Sequence, residues 1–501
     1  MEVDPQRFPH PVYAETVLAP LFRTTLAHHA VDMDAINEAH LVMLAETGIL
    51  TADQAASITA ALDAIAAETD RDALAYTGEH EDWFFLVEAE LRRRLGDLGG
   101  ALHTGRSRND MDHTLFRMRL RRLGDAMQDR LIALARALAG KAEAEANTII
   151  VAYTHGQPAQ PTTFGHYLAA VVDVLVRDVE RFDAALIGLE RCPMGAAAIT
   201  TTGFPVDRHR VADLLGFEGP TTNSYASIAA VDYVTGYYSA LKLPHVHLGR
   251  VCQDMAFWSA HEVGQLRVPG SLVQISSIMP QKRNPVPIEH MRHLASVTAG
   301  RCDVLVDAMR NTPFTDMNDS ETEVQAAGTA VHESGGRMLD LLAAFLPACT
   351  IDAAKVRRNL DASCATITEL ADTLVREGGL SFRTAHEIAA ATARDVIGRG
   401  VALTDGFEAH AAAHETETGR VSPLDRDAFA SAVAPETFVA RRDRFGGPAP
   451  AALAKALAGY REAIDRLDDA RRDRAGRRDA ADATRRAAFE ALRVTAEIGA
   501  A

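Results

Sequence analysis

The chain has 501 residues, 47% hydrophobic and 24% charged, with a formal net charge of −16. That length predicts two to four domains around a sizeable core. So acidic a chain excludes a general nucleic-acid binder, which needs clustered Lys and Arg, and an anionic membrane surface; a small anionic substrate in a locally basic pocket stays open.

Richness in Ala, Leu, Glu and Arg, with few aromatics, tilts the class towards helix. The five cysteines (Cys192, Cys252, Cys302, Cys349, Cys364) form no Cys-x-x-Cys pair and give no zinc signature. The start, Met1-Glu2-Val3-Asp4-Pro5, lacks a basic-then-apolar pattern, and no window of about 18 uncharged apolar residues occurs. A reducing, cytoplasmic location is expected.

Residues 1–105 read as a mostly helical N-terminal domain, with Thr51-Ala52-Asp53-Gln54 as a helix start. Residues 106–365 read as a central domain of long helices. Phe116, Leu120, Leu123, Met127, Leu131, Leu134 and Leu138 recur at helical spacing, and Leu168, Val171, Leu175, Val179, Phe182, Leu186 and Leu189 form a second stripe. A third stripe lies around 226–262, with a bend expected at Pro244. A fourth starts near Met291 and continues through Leu294, Val297 and Val304. Stripes of this length predict an all-α bundle that packs within and between subunits. Residues 366–455 read as a small C-terminal helical domain, and 456–501 as a charged helical tail or extension, within which Asp468–Arg477 reads as a solvated charged helix or a frayed tail.

Three islands carry chemistry. Thr104-Gly105-Arg106-Ser107-Arg108-Asn109-Asp110 precedes the first long helix, where arginines and a helix N-terminus suit a carboxylate; a plain helix cap with solvated arginines uses the same residues. Thr154-His155-Gly156-Gln157-Pro158-Ala159-Gln160-Pro161 reads as a loop shaped by two prolines. A lone histidine is more often structural than catalytic, and His103, His113 and His166 are read as structural. The third island, Ser276-Ser277-Ile278-Met279-Pro280-Gln281-Lys282-Arg283-Asn284-Pro285, lies in the proline-rich segment 264–287, a long functional loop. Its serine is a poor base unless polarised, which Lys282 supplies, and Asn284 suits a developing oxyanion. The islands sit at different helix ends, so convergence requires several subunits.

Together the islands resemble the argininosuccinate lyase family of the fumarase/aspartase superfamily. That family shows Thr-Gly-Arg followed by Ser-Arg-Asn, then Thr-His-x-Gln-x-Ala-Gln-Pro, then Ser-Ser-x-Met-Pro-x-Lys-x-Asn-Pro, in this order. The resemblance spans about residues 15–450 and implies an all-α fold of three domains with a long central bundle, and a homotetramer whose active sites are each built by three subunits. It implies β-elimination of an N-substituted aspartate to fumarate and an amine, with no metal or organic cofactor. Carried over, Ser276 takes the Cβ proton, and Lys282 and Asn284 stabilise an aci-carboxylate. Ser107, Arg108 and Asn109 hold substrate carboxylates. Thr154 and His155 serve the leaving nitrogen, Gln160 belongs to the same motif, and Glu289 is placed to orient His155.

Departures fall on substrate recognition. Phe84 stands where the family usually has His, and Ala229-Ala230-Val231-Asp232 where it has Ser-Asp-Arg-Asp. The Tyr, Gln and final Lys of a downstream pattern become Asp316, Glu321 and Val324. Ile275 replaces a Gly before the serines; a β-branched residue resists φ > 0, so a different entry to the loop is expected. Losing a lysine and gaining acids favours a cationic amine over one with a distal carboxylate. The expected substrate is thus an N-substituted aspartate that need not be argininosuccinate. Argininosuccinate itself, which would serve arginine biosynthesis, is the alternative, and a non-catalytic crystallin-like role is a further rival.

Overall fold

The computed structural model describes residues 8–318 and 322–498. Its elements in chain order are α1 (Ala19–His28), α2 (Ala30–Glu46), α3 (Ala52–Glu68), α4 (Trp83–Leu95), α5 (Arg108–Ala144), the hairpin β1 (Ile149–Thr154) and β2 (Gln157–Thr163), α6 (Phe164–Ile187) and α7 (Asp232–Ser259). Then come the short pair β3 (Gln274–Ile275) and β4 (Arg283–Asn284), α8 (Val286–Ala308), α9 (Thr322–Ala348), α10 (Ile367–Arg376), α11 (Phe382–Arg399), α12 (Phe407–Thr418), α13 (Arg426–Val433) and α14 (Pro450–Ile498). The expected helical class holds. Among the described residues no helix is long and apolar enough to cross a membrane.

Helices α5 to α9 form a ring in which each packs on the next and α9 returns to α5. Their apolar stripes meet inside it: Leu131 and Leu138 of α5, Leu168 and Phe182 of α6, Tyr237 and Leu241 of α7, Met291 of α8 and Leu342 of α9 belong to one buried core. Burying an aliphatic or aromatic side chain of this size contributes about 1.5–3 kcal/mol. The third stripe is α7, which runs through Pro244 without interruption. The sequence reading marked four stripes and passed over α9, whose Gly335-Gly336 and Pro347 weaken the helical signal. Packing explains Gly335: a Cβ there would lie 2.7 Å from the Nε2 of buried His245 on α7.

A second core joins α2, α3 and α4 to the first turns of α5, and a third lies within α10 to α13. The C-terminal extension is helical as expected, but Asp468–Arg477 is neither solvated nor frayed. α14 is one continuous 49-residue helix. Leu453, Leu457 and Ile464 enter the bundle core, and Phe489 enters the N-terminal core. Its inward charges are paired, not solvated. Arg474 meets Asp183 at 2.7 Å, Arg477 and Arg478 meet buried Glu190, Arg478 also pairs with Asp125, and Arg485 meets Glu38 at 2.9 Å.

Candidate active site

Ser107 starts α5 through reciprocal capping. Its hydroxyl accepts from Asn109 N at 3.4 Å, and its own N donates to Asp110 Oδ1 at 2.9 Å. The other Asp110 oxygen accepts from Gly195 N at 2.8 Å and Ala197 N at 2.9 Å. Asn109 Nδ2 donates to Ala198 O at 3.0 Å. The first island thus forms the helix cap that the sequence also allowed, with Asp110 tying it to the loop after α6.

Arg108 lies over the Phe84 ring, 5.1 Å from its centroid, so Phe84 forms an apolar floor where the family usually has His. Its guanidinium meets Asp82 at 2.6 Å and Asp112 at 3.2 Å. One turn on, His113 Nε2 is 3.5 Å from Asp316 Oδ1, and its Nδ1 is 3.0 Å from the Tyr233 hydroxyl. Asp316 therefore joins the first island within one chain, and His113 is a neighbour of the site that sequence reasoning set aside. Its spacing, one turn after Asn109 on a helix, was the available signal. Burial raises the Asp112 carboxyl, with Arg108 opposing it. His29, buried nearby, is lowered to about 3 by burial and the Arg119 charge, and stays neutral. Asp82, Asp112 and Asp316 gather around Arg108 and His113, with Arg117 stacked on the Tyr233 ring and Arg119 beside His29. Glu321 lies outside the described residues.

Asp110 is raised from 3.8 to about 6 by burial, against the pull of its three N–H donors and Arg106. Arg106 and Arg208 are the cations facing it; Cys192 also faces it, its thiol pushed up to about 12 by burial. The folded chain binds this proton more readily than the unfolded chain. The group's contribution to stability is therefore fully present below pH 3.8 and lost as pH rises through about 6. Urea unfolding of wild type and Asp110→Asn at about pH 4 and about pH 7 checks this: the difference in unfolding free energy shifts in favour of the variant at the higher pH.

The second island differs from the expected proline-shaped loop. It is the tip of the β1–β2 hairpin, with His155 at φ 54° and Gly156 at φ 73° closing a two-residue turn. Isolated two-stranded pairing tolerates Pro158 and Pro161, which no central strand would. Buried Gln265 fixes the hairpin: its Oε1 accepts from Val151 N at 3.1 Å, and its Nε2 donates to Val151 O at 3.3 Å. Thr154, His155 and Gln160 are exposed.

The third island is also a hairpin. Gln274 pairs with Asn284 and Ile275 with Arg283. Ile275 sits in extended backbone, so no glycine-like entry is needed. Ser276 Oγ accepts from Met279 N at 3.1 Å and from Ile278 N at 3.4 Å. Lys282 is exposed, Asn284 is half-buried, and Glu289 stands exposed in the first turn of α8. Among the described residues, no hydrogen bond or ion pair joins Ser276, Lys282 or Asn284 to His155, His155 to Glu289, or any of these to Ser107 or Asn109.

Comparison with known proteins places the chain in a family. A family model described as "Lyase" matches residues 25–300, and one described as "Argininosuccinate lyase C-terminal" matches 364–440. The chain is 56% identical over 460 residues to argininosuccinate lyase 2 of Agrobacterium fabrum (strain C58), covering 91% of each. It is 33% identical over 447 residues to argininosuccinate lyase 1 of Shouchella clausii (strain KSM-K16), covering 88% of this chain and 89% of the relative. A solved EDDS lyase variant with bound fumarate superposes with a TM-score of 0.82 at 27% identity, covering 94% of this chain and 93% of that one. The chain belongs to the argininosuccinate lyase family of the fumarase/aspartase superfamily and is a carbon–nitrogen lyase.

Proposed function

We propose that this lyase eliminates fumarate from an N-substituted aspartate whose amine is cationic and lacks a distal carboxylate. In this reading Ser276 takes the Cβ proton, and the electron pair moves onto the adjacent carboxylate. Lys282 and Asn284 stabilise the resulting aci-carboxylate, one such donor being worth about 3–4 kcal/mol of barrier. Collapse breaks the C–N bond, and the nitrogen leaves on the side of Thr154 and His155, with Glu289 orienting the imidazole. Supporting the base role, two backbone N–H groups point at Ser276 Oγ and favour its ionised form. The fumarate held by the related EDDS lyase supports the product.

The observation that carries the choice of amine is the set of three carboxylates, Asp82, Asp112 and Asp316, gathered around Arg108 and His113. A cation is attracted there, and a distal carboxylate is repelled. Argininosuccinate is the second reading, favoured by the 56% identical relative of that name.

The same proposal includes a homotetramer whose sites draw on three subunits. Its support is the separation of the islands in one chain and the apolar side chains left uncovered. Ile278 is 82% exposed and Val304 61%.

Absorbance of fumarate released from a panel of N-substituted aspartates tests the reading. The highest kcat/KM is expected with amines that carry a second ammonium group, and robust turnover of argininosuccinate overturns that preference. Asp316→Lys is expected to lower kcat/KM for the cationic-amine substrate by about tenfold or more, chiefly through KM.

A further inference from the structure

Asp316, on the loop between α8 and α9, is held by a side chain of α5. His113 Nε2 lies 3.5 Å from its Oδ1, and the other ring nitrogen, Nδ1, lies 3.0 Å from the hydroxyl of Tyr233 on α7. The imidazole meets Phe116 and Tyr233 edge-on, with ring centroids 6.1 and 6.0 Å away. Tyr233 is buried, and Arg117 covers its ring at 4.1 Å. Burial raises the Tyr233 hydroxyl above its ordinary value, so it keeps its proton. A buried hydroxyl needs an acceptor, and among the described residues its one hydrogen-bond partner is His113 Nδ1. The phenol therefore donates to Nδ1, which leaves the proton of the neutral imidazole on Nε2, the side of Asp316.

The three carboxylates around Arg108 are unequally engaged. Asp82 Oδ1 accepts from Phe85 N at 3.1 Å, and its Oδ2 meets Arg108 at 2.6 Å. Both Asp112 oxygens meet Arg108 Nη2, at 3.4 and 3.2 Å. Asp316 Oδ1 faces His113, while its Oδ2 has no partner among the described residues, on a side chain 36% exposed. The set therefore offers a ligand one oxygen. A guanidinium binds a carboxylate best through both oxygens, whereas an ammonium is a point charge that needs one. We infer that Tyr233 and His113 are positioning residues for amine selection: Tyr233 fixes the imidazole, His113 holds Asp316 by Oδ1, and Asp316 presents Oδ2 alone, so the amine carries its second charge as a compact ammonium and not as a guanidinium. This rests on the reading of Asp316 as a carboxylate that meets the amine.

Fumarate release from three aspartates tests the inference, their N-alkyl chains matched in length and ending in an ammonium, a guanidinium or a methyl group. Wild type should favour the ammonium chain over each of the others by about tenfold or more in kcat/KM, chiefly through KM. Tyr233→Phe and His113→Leu should each lower the ammonium-to-methyl ratio about tenfold. His113→Gln, which keeps a donor near the Nε2 position, should restore most of that ratio. A purely structural role lowers Tm and slows the three substrates alike. An unchanged ratio in Tyr233→Phe therefore overturns the inference even where His113→Leu fails to fold. Wild type that uses the guanidinium chain as well as the ammonium chain, or better, overturns this inference and leaves the cationic-amine reading standing. Wild type that favours the methyl chain, treats it like the ammonium chain, or releases fumarate from none of the three overturns the cationic-amine reading, and this inference with it.

Discussion

Ser276→Ala is expected to lose turnover by about a thousandfold or more while fumarate affinity stays within about threefold of wild type. The reasoning is local. The serine oxygen is held by two N–H donors in a tight turn, and both belong to the hairpin backbone, so the alanine variant keeps the loop shape set by the β3–β4 pairing. A base acts only as the proton leaves, so its removal raises the barrier more than it weakens binding. Stopped-flow release of fumarate and calorimetric binding separate the two effects. A variant that keeps near wild-type kcat places the base elsewhere. The same protein tests shared sites: inactive Ser276→Ala and His155→Ala chains, unfolded and refolded together, should recover activity that neither has alone. No recovery would mean that each chain must supply both residues.

Removing residues 468–501 is expected to destabilise the protein by several kcal/mol. Glu190 and Asp183, both buried or nearly so, would lose Arg477, Arg478 and Arg474. Deleting one side of a buried pair costs about 3–5 kcal/mol because the remaining charge is left without compensation; Arg121, 3.7 Å from Glu190, offsets part of that here. Phe489 adds a core term of about 3–5 kcal/mol, the usual cost of losing a buried aromatic ring. Pairs near the surface, such as Arg493 with Asp63, add little. Urea midpoints of full-length protein, the truncated chain and Arg486→Ala read this out. Arg486 is exposed and makes no ion pair among the described residues, so its loss should stay within about 0.5 kcal/mol. A truncated chain with an unchanged midpoint would make α14 beyond Leu467 a passenger.

Most of the bundle and the order of the three islands are legible along the chain, because a period of four and three and a short motif are both local properties. The β1–β2 hairpin was equally local yet was passed over. Ile149-Ile150-Val151 and Thr162-Thr163 flank a two-residue His-Gly turn, a hairpin signal that the prolines masked. Ile275 was read by analogy with a glycine, whereas its own β-branched side chain simply favours the strand it occupies.

Other features have no local trace. That Asp110 closes a loop 85 residues away, that Arg474 finds Asp183 and that Asp316 meets His113 depend on which surfaces the folded helices bring together. Sequence patterning selects helix, strand and buried face from neighbouring residues. Charge partners and cavity walls arise between residues hundreds of positions apart, where packing and desolvation choose one pairing among many that composition allows.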